Sequence, residues 1–152
     1  MCIRDRIHTS RGPSNGPVRS ISEYAFEPFT HNVSNDGPGL LRIIAFVNGG
    51  EGSSDAGDAP DGLAFEPDIE NPWFRSYRLE LGPGEQTSLQ SHHNHTVIVQ
   101  GSAGIVHVTR KDGLTRELKA AGEWEWREPG SPFIVKNMGN SSVIVAINEG
   151  RE

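Results

Sequence analysis

Apolar and polar residues alternate in short runs through the second half of the chain, and no stretch keeps a 3.6-residue period for long, so the pattern predicts strands rather than helices. Trp73 to Leu81 reads as a strand with Trp73, Arg75, Tyr77, Leu79 and Leu81 on one face, because residues two apart share a face. Pro83-Gly84 makes a turn after it. Thr96 to Val99 and Ile105 to Thr109 read as a hairpin around Gly101-Ser102-Ala103-Gly104. Lys111-Asp112-Gly113 marks a further turn, Ala121-Gly122 opens a strand through Trp124 and Trp126, and Val143 to Ile147 supplies a last apolar strand. Strands at such close spacing suit a sandwich or a barrel.

Upstream the pattern thins. Leu40 to Val47 reads as an apolar strand, and Gly49 to Asp68 as an acidic flexible linker rich in Gly, Ser, Asp and Pro. Laying the chain on itself matches His31-Asn32-Val33-Ser34-Asn35-Asp36-Gly37 with Phe133-Ile134-Val135-Lys136-Asn137-Met138-Gly139. The copies lie roughly 100 residues apart, a spacing of duplicated domains rather than of a solenoid. The expected organisation is a disordered stretch over residues 1–20, terminal strands of an upstream module over 21–48, the linker over 49–69 and a nearly whole β-domain over 70–152. The upstream strands are expected to dock on the edge of that domain, since an isolated hairpin is marginal in water. The alternative is one barrel with an extra N-terminal hairpin. Met1-Cys2-Ile3-Arg4-Asp5-Arg6 resembles a translated sequencing-library adapter, which makes a truncated start the expectation and Cys2 an accident.

Composition narrows the function classes. With 152 residues, 34% of them hydrophobic, 18 Gly and 10 Pro, the chain can bury one moderate core of all-β type. Its net charge of −6, without a Lys/Arg cluster among aromatics, argues against nucleic acid as a partner. No apolar run is long enough to cross a membrane as a helix. The lone cysteine excludes an internal disulfide and leans toward a reducing compartment, the cytoplasm. A neutral or cationic small molecule fits the charge best.

The candidate chemistry gathers at Gln90-Ser91-His92-His93-Asn94-His95, where three histidines enter a β-branched strand. Strand alternation turns residue 92 inward together with 90 and 94, leaving His93 and His95 outside or at the rim. One inward imidazole is fewer than the roughly three protein ligands of a catalytic metal site. Trp124 and Trp126 share a face and either line a pocket with Tyr77 and Phe133 or pack in the core. Arg75, if inward, is a buried cation that needs a carboxylate from ligand or protein. Glu123, Glu125 and Glu128 read as an exposed acidic face. No serine sits in a G-x-S-x-G elbow, and no Gly-rich phosphate loop precedes a helix.

These features resemble the cupin superfamily, over residues 70–152 in full. The family carries a first motif of the form G-x5-H-x-H-x3–4-E-x6-G and a second of the form G-x5-P-x-G-x2-H-x3-N. Counted from Gly84, Gln90 and His92 take the two His places of the first motif, and no acid stands at Asn94 to Thr96. In the second, Gly122 and Asn137 fit, Pro129-Gly130 fits loosely, and Phe133 takes the place of the His. A register pairing His93 with His95 puts Val99 or Gln100 at the acid and still leaves Phe133. His31 and Asn35 keep the second motif's ligand and Asn in the upstream copy.

The resemblance implies an all-β, cupin-type β-barrel (double-stranded β-helix, or jelly roll) preceded by a β-hairpin remnant of an upstream cupin module. It also implies a small-molecule-binding or catalytically degenerate cupin, with Tyr77, Gln90, His92, Trp126 and Phe133 around the ligand and no cofactor. The alternative is a metal-dependent dioxygenase or isomerase in which His92 and His95 hold iron, zinc or manganese. A third reading is a structural module that pairs as a homodimer through barrel faces.

Overall fold

The computed structural model describes residues 7–9, 12–14, 38, 43–53 and 59–151. The His31 to Gly37 repeat copy, with His31 and Asn35, and most of the proposed upstream module lie outside the described residues. Two short strands, β1 (Ile7–Thr9) and β2 (Gly12–Ser14), pair with each other within the stretch whose composition reads as disordered. The main body has eight: β3 (Ile69–Glu70), β4 (Phe74–Leu81), β5 (Thr96–Gln100), β6 (Val106–Arg110), β7 (Thr115–Leu118), β8 (Trp124–Arg127), β9 (Phe133–Asn137) and β10 (Val143–Gly150). No helix occurs among the described residues, so none is long and apolar enough to cross a membrane.

Every pairing is antiparallel. The larger sheet has the order β3-β4-β10-β5-β8 and the smaller the order β7-β6-β9. Between β4 and β5 the chain runs beside β9, with Gly84, Thr87 and Gln90 donating their N–H groups to Asn137, Val135 and Phe133. The chain therefore passes from one sheet to the other between most successive strands, which is the path of a jelly roll.

Alternation decides what lies between the sheets. Leu79 and Leu81 on β4, Ile98 on β5, and Val143, Val145 and Ile147 on β10 face Val106, Val108, Phe133 and Val135, and all are buried. Each such side chain contributes about 1.5–3 kcal/mol on burial. Asn137, fully buried, closes one end of this core. Its amide N–H groups are shared among the carbonyls of Leu81, Gly82 and Ser141, while its oxygen accepts from the N–H of Gly139.

One expected pairing is absent. β5 and β6 do not form a hairpin but belong to different sheets, β5 between β10 and β8, β6 between β7 and β9. The connection is held as a crossover rather than a hairpin turn: the Gln100 amide donates to the carbonyls of Ser102 and Gly104, and Gly101 N–H donates to Ile144. Gly104, at φ +146°, lies against Val143, where a Cβ would come within 3.3 Å.

Residues 43–47 form no strand, although Leu40 to Val47 reads as one. The stretch after them is tied to the sheet edge. Asn48 donates to the carbonyls of Trp73 (3.0 Å) and Arg151 (2.7 Å), and Trp73 Nε1 donates to Gly50. Ser53 N–H reaches Pro72, Asp61 bridges to Ser91, and Leu63 packs on the core, so the acidic stretch touches the domain at these points.

Candidate functional site

The polar end of the interior is built by register. Arg75 on β4 stands opposite Glu149 on β10, Glu149 opposite Thr96 on β5, and Thr96 opposite Arg127 on β8. All four are buried and form one inward row across the larger sheet. Gln90 and Phe133, joined by backbone hydrogen bonds in both directions, approach from the smaller sheet, and His92 follows two residues later.

His92 is 2% exposed and both ring nitrogens have protein partners. Nε2 lies 3.1 Å from Gln90 Oε1 and Nδ1 lies 3.4 Å from Glu149 Oε2. Two oxygens suit the two N–H groups of an imidazolium. A neutral ring is satisfied as well if the Gln90 amide turns over, because its other neighbour, the Thr87 hydroxyl at 3.1 Å, both donates and accepts. The imidazole also stacks on Phe133 (centroids 5.6 Å apart, planes at 15°) and meets Tyr77 edge-on at 6.0 Å.

Glu149 is the hub. Its Oε1 accepts from the backbone N–H groups of His93 and Asn94 and from the Asn94 amide, each at 3.1 Å, and its Oε2 faces His92 and, at 3.9 Å, Arg75. Burial, the largest influence, pushes the carboxyl up. The hydrogen bond and charge of His92, with the Asn94 side-chain and backbone donors, outweigh it and hold Glu149 below its ordinary value. The cation expected at Arg75 is met by protein carboxylates, Glu70 at 2.8 Å and Glu149. It is therefore neutralised without a ligand.

Burial also pushes the Tyr77 phenol up to about 12, with the Arg75 charge opposing and Glu149 assisting. A raised folded value gives stability that is intact below the unfolded value near 10 and falls as pH rises toward 12. We expect an absorbance titration to show a late tyrosinate step near pH 12 that is missing from Tyr77→Phe. Because Tyr24 is the chain's other tyrosine, the contrary result is a step near pH 10 that disappears in Tyr77→Phe.

Tyr77, Gln90, His92 and Phe133 thus converge, each 2% exposed or less. Trp126 does not join them. On β8 the inward positions are Glu125 and Arg127, so Trp124 and Trp126 point away from the interior and are 56% and 42% exposed. Trp126 packs at a tilt against His95, centroids 5.1 Å apart, and donates to Glu128 at 3.0 Å. His95 belongs to this outer group, 3.2 Å from Glu128, and His93 is exposed, so His92 and His95 face different surroundings. Glu125, read as part of an acidic surface, is half-buried and bonded to Arg127 at 2.6 Å.

Two charged positions of this buried cluster were not singled out by the sequence, Glu149 and Arg127. The signal was present: each carries a charge on the inward phase of its strand, Glu149 after Val143, Val145 and Ile147.

This arrangement of strands recurs in solved structures. A cupin domain from Bordetella pertussis Tohama I aligns at 21% identity over 57% of this chain and 90% of its own, with a TM-score of 0.50. An RmlC-like cupin family protein with a double-stranded β-helix fold, from Methanocaldococcus jannaschii, aligns at 11% identity over 74% and 94%, with a TM-score of 0.51. This chain has the cupin fold. No family model and no curated protein matches it by sequence. Gln90 and His92, counted from Gly84 in the first motif, thus lie beside Phe133, placed by the second.

Proposed function

We propose that this cupin is a small-molecule-binding module whose metal motif is degenerate. The observation that carries the reading is the set of groups at the three convergent motif positions: an amide, one imidazole and a phenyl ring. The imidazole has neither nitrogen to spare, since Gln90 and Glu149 take both. Glu149, in turn, is surrounded by donors. Among the described residues no three His, Cys, Asp or Glu side chains gather in a metal-holding group. These residues do not fit the divalent metal that the fold suggests, and no step is routed through one. What they offer a ligand is an apolar wall of Tyr77, Phe133 and the His92 ring face with one polar contact, the remaining capacity of the Gln90 amide, a combination suited to orienting a small molecule. All four are buried, so a ligand reaches them only through a local opening of the domain, which slows association.

Elemental analysis of the purified full chain, after growth with added iron, zinc and manganese, tests this reading. The expected result is metal far below one equivalent, unchanged by His92→Ala. Near-stoichiometric metal lost on His92→Ala would overturn it. A thermal-shift screen of small metabolites is expected to yield stabilising compounds whose effect is lost in Phe133→Leu.

A further inference from the structure

Arg127 sits at the end of the inward polar row and is 6% exposed. Its NH1 donates to Glu125 (2.6 Å) and to the carbonyl of Trp126 (2.9 Å), and its guanidinium carbon lies 6.0 Å from the Phe133 ring centroid. Its Nε–H is buried and has no partner. A guanidinium donor in such a place is costly to leave unmade, and the groups that satisfy it best are oxyanions.

The surrounding charges point the same way. Glu125 is shared, since Arg116 Nε approaches its other oxygen at 3.9 Å. Glu70 is shared between Arg75 and Arg151, and Glu149 between Arg75 and His92. Each of these three carboxylates is thus divided between two basic side chains. Glu128 offers no relief, because it is exposed and turned toward His95 and Trp126 on the outer face.

We propose that Arg127 anchors the carboxylate of a small monocarboxylic ligand whose apolar body lies against Phe133. The inference rests on the binding role proposed above and names the ligand class. The carboxylate gives the buried Arg127 Nε–H its acceptor. Arg127 positions the ligand, and Phe133 selects an apolar body over a hydroxylated one.

Titration calorimetry of the full chain with benzoate, with benzamide as the uncharged comparator, provides the test. Benzoate is expected to bind, at least about tenfold more tightly than benzamide, with Arg127→Gln erasing that preference and Arg127→Lys retaining part of it. In parallel, the Arg127 Nε–H resonance, assigned by its loss in Arg127→Lys, is expected to shift on adding benzoate and not benzamide; this readout stands even if Arg127→Gln fails to fold. Equal binding of both compounds, unchanged by Arg127→Gln, overturns the anchor while leaving the binding role intact. An Nε–H resonance unmoved by benzoate also overturns it. Stoichiometric metal in the elemental analysis instead overturns the binding role itself.

Discussion

Glu149→Ala is expected to destabilise the domain by about 3–5 kcal/mol, the range for breaking a buried, hydrogen-bonded ion pair from one side. The carboxylate is 1% exposed and holds His92, both backbone N–H groups at His93 and Asn94, and the Asn94 amide. Removing it strands those donors in the interior and takes a carboxylate from beside Arg75. The cavity adds to the loss, because Thr96 and the Arg75 stem cannot collapse into it without breaking sheet register. Urea denaturation measures the change, and a cost below roughly 1 kcal/mol would show that the cluster is not a structural hub.

The same residue sets an acid limit. Its folded value lies below the unfolded one, so its contribution is present above the ordinary carboxylate value of 4.5 and is lost as pH falls through the lower folded value. Glu149→Gln keeps the shape and removes the titration. Its unfolding midpoint is expected to fall less steeply than the wild type's as pH drops below 4.5.

How much of this was legible depended on whether the signal was local. The strands were legible because alternation is a property of neighbouring residues: Phe74–Leu81 and Val106–Arg110 lie where apolar residues recur at every second place. Strand partners were not. Thr96–Gln100 and Val106–Arg110 are separated by a Gly-rich turn that reads as a hairpin, yet Gln100 spends its amide on Ser102 and Gly104 and sends the chain to the other sheet. That choice is set by what lies opposite, in β9 and β10, far along the sequence.

The candidate site divides in the same way. Alternation through Gln90 and His92 carried information about direction, and their convergence with Phe133 follows from a ladder that joins residues 90 and 133. The direction of Trp126 was ambiguous because a two-residue period has two phases, and the burial of Arg127 over Phe133 shows which is inward. Glu149 was not legible because the first motif places its acid within a few residues of the histidines, where this chain has none. The acid that meets His92 comes from 57 residues away, on the last strand, where the same space is filled from another direction.

The second large effect is a gain. Gln90→His combined with Phe133→His is expected to turn weak zinc binding into binding at least roughly 100-fold tighter, with near-stoichiometric metal retained through purification, since three imidazoles suffice for a zinc site with an open position. Position 90 already holds its side-chain oxygen 3.1 Å from His92 Nε2, and position 133 holds its ring 5.6 Å from the imidazole, so the two substitutions put nitrogen donors where the amide and phenyl ring stand. Replacing Gln90 also frees Nε2 of His92, while Glu149 stays on Nδ1 and fixes the tautomer that presents Nε2 to a metal. The metal-free double variant is expected to be less stable than wild type by about 2–4 kcal/mol, because a polar ring replaces a fully buried phenyl. Added zinc should restore that stability, as binding to the folded state alone raises the unfolding midpoint. Zinc affinity and melting temperature, measured on both single variants and the double, separate the contributions. If the double variant binds zinc no better than wild type, the lost side chains at 90 and 133 are not what separates this site from a metal centre, and the clamp of Glu149 on His92 becomes the cause to pursue.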